Sequence, residues 1–267
     1  MERPDWAPPD VDMERPSAAR MWDYLLGGAH NFAVDRRVAE HGIALKPDLP
    51  EVARQVRAFI HRAVAYLSGA GVDQFIDIGS GIPTRGSIHE KAPQARVVYV
   101  DHDPVAVAHG RAILRDNDRA TAILGDLRDP AAILARPELR DLVDLDRPVG
   151  LLLVAVLHFV PDEDEPARIV ATLRDALPAG SHLVVQHATL DEQPATVRQM
   201  VEHFNANSAQ PMRWRTREEI TGFFDGYTVV DPGVVHLSRW RPAAEDVVAD
   251  PVRYAAYTAV GRKDMAG

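Results

Sequence analysis

Between Val72 and Thr84 the chain reads V-D-Q-F-I-D-I-G-S-G-I-P-T, and no other stretch limits the fold as much. Phe75-Ile76-Asp77-Ile78 is an apolar run of strand length. Gly79-Ser80-Gly81 then turns the chain sharply. Glycine reaches backbone angles that other residues avoid, and it has no Cβ to hold a ligand away. The residues after Thr84 read as a helix start. A strand that ends in glycines and feeds a helix is how open α/β sheets build a nucleotide-type site.

The rest of the chain continues that alternation. Arg96 to Val100, Thr121 to Leu124, Val149 to Val156 and Ser181 to His187 read as four more strands. Asp103-Pro104 and Asp129-Pro130 start helices, as a capping acid followed by proline should. Ala167 to Leu177 and Pro194 to Asn207 are also helical in pattern. Tyr227 to Val230, a bend at Asp231-Pro232-Gly233, and Val234 to Leu237 read as an interrupted strand. Arg253 to Arg262 is the last one. No long helix separates these final strands, so they pair antiparallel at the sheet edge. Five strands alternating with helices and then an antiparallel pair predict an α/β sandwich with right-handed crossovers.

Three segments precede the sheet. Residues 1 to 16 read as an irregular, proline-rich arm. Ser17 to Gly28 and Ala33 to His41 read as a helical hairpin dense in polar side chains. Leu49 to Leu67 is a long amphipathic helix with Val52, Val56, Phe59, Ile60, Val64 and Leu67 on one face.

Composition excludes several function classes. The net charge of −9 argues against a nucleic-acid partner, which requires a basic face. The absence of cysteine excludes disulfides, thiolate metal sites and a cysteine nucleophile. The longest apolar run, Leu151 to Val160, is interrupted by His158 and is too short to span a bilayer. The acidic, proline-rich start lacks the apolar core of a secretory signal. The expectation is a cytoplasmic protein with no membrane partner.

The spacing of three acids carries the chemistry. Asp77 lies in the first strand, Asp101 ends the second, and Asp126 follows the third. In a doubly wound sheet those ends line one crevice. Asp101 is placed to accept hydrogen bonds from ribose hydroxyls, and Asp126 one from an adenine amino group. Together they form an address for adenosine. A dinucleotide is the rival ligand, but its G-x-G-x-x-G fingerprint is incomplete here. Thr84, after Pro83, stands where the third glycine belongs. Asp126 and the antiparallel sheet end favour S-adenosylmethionine as the ligand.

At this point the chain resembles a large actinobacterial family of S-adenosylmethionine-dependent methyltransferases, most of them of unassigned substrate. The likeness runs through Arg20, Asp23-Tyr24-Leu25-Leu26-Gly27-Gly28, Asn31-Phe32 and Asp35-Arg36. It continues through Asp77 to Thr84, Val98 to Pro104 with His109, Asp126 to Pro130, Leu157 to Val160, Gly180-Ser181, Pro232-Gly233 and Trp240-Arg241-Pro242. It implies the class I fold: a Rossmann-like, seven-stranded, mostly parallel sheet with an antiparallel last pair, helices on both faces and an N-terminal helical cap. Residues 1–47 would form the arm and lid, and 48–267 the S-adenosylmethionine-binding domain. The resemblance places Asp77, Gly79 and Gly81 at the methionine part of the donor and Asp101 at its ribose. His102 would lie beside the adenine, and Asp126 and Leu127 at its edge. It also implies that Arg20 pairs with the donor carboxylate and that Tyr24, His30 and Asn31 face the acceptor.

Methyl transfer needs alignment more than acid–base help, because the donor is already activated. A base is needed only for an acceptor that must lose a proton. His158, after the fourth strand, is the best candidate, and His187, after the fifth, is a weaker one on the substrate side. His182 and His187 fall on opposite strand faces, so no metal pair is expected. The leading expectation is methylation of a small-molecule acceptor. The competing class is a donor-binding fold kept as a non-catalytic regulator or interaction protein.

Overall fold

The computed structural model describes residues 12–84, 86–207 and 211–264. Most of the predicted N-terminal arm, residues 1–11, lies outside them. The chain opens with a helical hairpin, α1 (Ala18–Leu25) and α2 (Ala33–Leu45), and the long helix α3 (Leu49–Gly69). Then follow β1 (Gln74–Ile78), α4 (Ile88–Lys91), β2 (Arg96–Asp101), α5 (Pro104–Ile113) and β3 (Ala120–Leu124). Next come α6 (Pro130–Leu134), α7 (Pro137–Leu142), β4 (Gly150–Val154), α8 (Pro166–Asp175), β5 (His182–Ala188), α9 (Ala195–Asn207) and α10 (Arg217–Gly222). The short strands β6 (Thr228–Val229) and β7 (Val235–His236) and the long β8 (Ala256–Arg262) finish the sheet.

The sheet order is β3-β2-β1-β4-β5-β8-β6, with β7 also on β8. The first five strands run parallel, and β8 runs antiparallel to β5. This is the doubly wound arrangement read from the sequence. The strand count differs, eight instead of seven, because the bend at Asp231-Pro232-Gly233 divides one edge strand into two pieces. Both pieces pair with β8, at Arg262/Gly261 and at Thr258/Tyr257.

Alternation along the strands sorts the core into two layers. Ile76, Ile78, Val98, Val100, Leu151 and Leu153 face α6, α7 and α8. Phe75, Val97, Tyr99, Leu152 and Val154 face α3. Asp77 shares the parity of Phe75 and so points to the α3 side. Asp103 caps α5 through the Val105 N–H at 2.8 Å, and Asp129 caps α6 through the Ala132 N–H at 3.0 Å.

Two local features depart from the sequence reading. The helix begun at Asp129 breaks into α6 and α7, because Pro137 cannot continue a helix but starts the next one. α10 was not anticipated, although its capping box was legible. Thr216 Oγ1 accepts the Glu219 N–H at 3.2 Å, and Glu219 Oε2 accepts the Thr216 N–H at 2.6 Å.

The order reverses at β1, which has β2 on one side and β4 on the other. The crevice therefore opens above the C-terminal end of β1, where the glycines are.

Candidate functional site

The glycine loop is tied down before any ligand is considered. The Gly79 and Ser80 N–H groups both donate to the Val100 carbonyl, at 2.8 and 3.1 Å. Gly79 and Gly81 have φ of +74° and +63°, the left-handed region that favours glycine. A Cβ on Gly79 would lie 2.4 Å from Val156 Cγ2, so the chain leaving β4 closes on this loop. The Gly81 N–H donates to Asp101 Oδ2 at 2.7 Å, and the Asp103 N–H to Asp101 Oδ1 at 2.9 Å. Asp101 is thereby oriented, and Oδ2 retains a lone pair for a ligand hydroxyl.

His102 follows at the rim, with a side chain 56% exposed and Nδ1 3.5 Å from Asp101 Oδ1. Its hydrogen bond to Asp101 raises its pKa. Asp126 is half-exposed, and Arg128 Nε lies 3.0 Å from each of its carboxylate oxygens. That contact holds Asp126 below the usual carboxylate range. An adenine amino group would have to share Asp126 with Arg128, a competition the sequence reading missed. The Leu127 side chain is buried in the core, so only its main chain offers polar groups to a ligand.

Asp77 is buried and makes no side-chain hydrogen bond among the described residues. Burial pushes its pKa up to about 7, with the Arg57 charge opposing and the Asp101 charge assisting. Arg57 lies on α3 and was not singled out by sequence. Its Nη1 donates to Ser87 Oγ at 3.1 Å.

The hairpin covers the loop. Ala19 of α1 lies 3.9 Å from a Cβ built on Gly81. Phe32 packs with Val105 of α5. The His30 ring meets the His109 ring edge-on at 4.4 Å. Ser17 Oγ donates to Asp103 Oδ2.

The hairpin's polar residues are largely spent on its own architecture. Arg20 is 3% exposed. Its Nε donates to Asp35 Oδ2 at 2.8 Å, Nη2 to the Arg15 carbonyl at 2.6 Å, and Nη1 lies 3.6 Å from Asp103 Oδ2. Arg20 thus anchors the hairpin, and these three partners take up its guanidinium within the fold. Asn31 Nδ2 donates to Asp23 Oδ2 and the Gly28 carbonyl, and its Oδ1 accepts from Arg36. It fixes the turn, and both of its Nδ2 hydrogens are used there. Tyr24 donates to Glu40 at 3.0 Å. His30 is half-buried, and its N–H donates to Asp23 Oδ2.

The two candidate histidines at the ends of β4 and β5 prove unlike. The His187 ring is fully engaged: Nδ1 faces the Ala188 carbonyl at 2.7 Å, and Nε2 faces Arg215 Nη1 at 3.0 Å. A carbonyl only accepts and a guanidinium only donates, so His187 is the neutral Nδ1–H tautomer. Burial pushes its pKa down to about 4. Both of its ring nitrogens are therefore taken within the fold. Arg215 also donates to the Leu157 and Val160 carbonyls and to Asp162. His158 sits in the one-turn 3-10 helix Leu157–Phe159, edge-on to His187 at 5.5 Å. It is buried, and its Nδ1 has no partner among the described residues. Burial, with His187 and Arg215 nearby, holds its pKa well below the usual histidine value.

Known proteins share the fold of this chain. A DUF574 family protein from Streptomyces avermitilis superposes with a TM-score of 0.89 at 39% identity, over 94% of this chain and 99% of that one. A candidate methyltransferase from Thermobifida fusca gives 0.88 at 36% identity, over 98% and 100%. The magnesium protoporphyrin IX methyltransferase of Synechocystis, solved with S-adenosylhomocysteine, shares the fold at 13% identity, with a TM-score of 0.57 over 91% of this chain and 93% of that one. No curated protein matches the chain. The S-adenosyl methyltransferase family model matches residues 4–264, and the chain belongs to that family of S-adenosylmethionine-dependent methyltransferases.

Proposed function

We propose that the chain methylates a small-molecule acceptor in the cytoplasm. Residues 1–47 act as a lid over a donor held by residues 48–267. The observation that carries this reading is the seating of α1 on the glycine loop, with Ala19 3.9 Å from a Cβ built on Gly81. A site roofed in this way by its own chain suits a compact acceptor better than a polymer. The charge of −9 also disfavours a nucleic acid. Among the described residues no helix is long and apolar enough to cross a membrane.

The residues present fit S-adenosylmethionine. The glycine loop leaves the backbone open to close approach. Asp101 retains acceptor capacity for ribose hydroxyls, Asp126 with the Leu127 main chain fits the adenine edge, and Asp77 is a buried carboxyl suited to an ammonium group. The donor supplies a methyl group already activated on a sulfonium. The chain's own part is to orient both partners and keep water out. His158, neutral and with Nδ1 unpartnered, is the candidate to hold the acceptor's O–H or N–H hydrogen. Tyr24 and His30 remain acceptor-side candidates on the hairpin.

Calorimetric titration with S-adenosylmethionine, NAD and a short duplex DNA tests the reading. Heat with the methyl donor alone is expected. Binding of NAD would sink the donor assignment, and tight binding of the duplex at physiological salt would sink the small-acceptor reading.

A further inference from the structure

The methionine half of the donor carries an ammonium and a carboxylate on one carbon. Asp77 suits the first, but the site as described holds no partner for the second, because Arg20 is occupied by Asp35, Asp103 and the Arg15 carbonyl. We propose that Arg57 of α3 receives the donor carboxylate. The assignment rests on the donor orientation proposed above.

The fold puts Arg57 at the right height. α3 runs into β1 through a short turn, so the two lie antiparallel. A Cβ on Gly150 would meet Phe75 Cδ1 at 2.5 Å and Leu67 Cδ2 at 2.8 Å, which sets Leu67 level with Phe75. From Phe75 to Gly79 the chain rises about 13 Å, and from Leu67 back to Arg57 the helix covers about 15 Å. Arg57 is therefore level with the glycine loop. It also lies on the sheet-facing side, three and seven residues before Ile60 and Val64. One turn further on, Ala53 is buried against Leu25 and Ala39 of the hairpin. Arg57 thus occupies the layer between sheet and lid.

Its chemistry is unspent. Among the described residues the guanidinium makes one side-chain hydrogen bond, to Ser87 Oγ, and no carboxylate lies within 4.0 Å of it. A guanidinium has five N–H donors in a fork that matches a carboxylate. A half-buried cation with so few partners is costly unless a ligand completes it. Its charge is felt by Asp77 below and by Asp23 of the lid above. Arg57 and Asp77 together form a zwitterion address: cation for the carboxylate, buried acid for the ammonium.

The test is a cycle of titrations with S-adenosylmethionine and its decarboxylated analogue on wild type, Arg57→Ala and Arg57→Lys, with thermal melts to show folding. Wild type is expected to favour the carboxylated donor at least tenfold. Arg57→Ala should bind that donor at least tenfold more weakly and lose the preference, and Arg57→Lys, which keeps the charge and protects the fold, should retain part of it. An undiminished preference in Arg57→Ala, or equal loss for both probes, overturns the assignment. If Arg57→Ala does not fold, a full wild-type preference in Arg57→Lys overturns it, since a point charge does not replace a bidentate fork. Failure of wild type to bind either probe overturns the donor site itself, a distinct result.

Discussion

The Gly81 N–H donates to Asp101 Oδ2 at 2.7 Å, joining residues twenty apart in sequence. One carboxylate thus fixes the glycine loop and, in the proposed site, receives the ribose. Asp101→Ala should lose both functions. We expect donor affinity to fall at least tenfold, about 1.4 kcal/mol, and the melting temperature to drop as the Gly81 and Asp103 N–H groups lose their acceptor. Titration calorimetry and thermal melts check this. An unchanged affinity would remove Asp101 from the donor site.

Asp77 makes stability depend on pH in an unusual direction. Burial raises its carboxyl from an ordinary 3.8 to about 7, assisted by Asp101 and opposed by Arg57. As pH rises, the unfolded carboxyl loses its proton first. Between about pH 4 and 7 the folded state holds more protons, so stability falls through that window and the cost is complete above it. The gap corresponds to on the order of 4 kcal/mol. Asp77→Asn should therefore melt higher than wild type at pH 8 and by a smaller margin at pH 5, while binding the donor more weakly. Parallel melting curves against pH would contradict the assignment.

Gly79 meets two constraints at once, a φ of +74° and a neighbour 2.4 Å from any added Cβ. Gly79→Ala should cost roughly 2 kcal/mol or more, from the left-handed backbone and the clash with Val156. Removing the clash but not the backbone penalty, Gly79→Ala with Val156→Ala should be less destabilised than the sum of the two single variants. Denaturant melts of the three variants measure the coupling. Strict additivity would mean that the two residues do not press on each other.

The N-terminal hairpin depends on a buried ion pair. Arg20 and Asp35 are 3% and 0% exposed and lie 2.8 Å apart. Arg20→Leu leaves Asp35 buried without its cation, a loss of about 3–5 kcal/mol when such a pair is broken. That penalty should appear as early proteolysis within residues 12–45 while the sheet stays resistant. Deleting residues 1–41 should likewise leave a folded sheet with weak donor affinity. Full affinity in the truncated chain would reduce the hairpin to packing.

The legible part of the site was the part made by neighbours in sequence. Gly79-Ser80-Gly81 turns the chain through its own backbone freedom, and Asp103-Pro104 and Asp129-Pro130 announce helix starts by capping chemistry. Strand and helix periods were visible because burial on one side imposes them. Thr216-x-x-Glu219 is equally legible, a capping box written within four residues. The bend that splits the edge strand was legible in Asp231-Pro232-Gly233, but the two-residue length of β6 and β7 was not, because their pairing with β8 sets it.

The sequence by itself determined the alternating α/β order, the glycine turn after the first strand and the placing of acids at three strand ends. Each follows from interactions within a few residues. Only the tertiary structure decided which charged side chains remain available. The family resemblance points to Arg20 as the carboxylate partner and the sequence does not single out Arg57, but Arg20 meets Asp35 and Asp103, while among the described residues the Arg57 guanidinium bonds to Ser87 Oγ alone. His187 looks like an acceptor-side residue until Arg215, twenty-eight positions later, occupies its Nε2. Long side chains choose partners across the fold by burial and reach, and no local pattern encodes that choice.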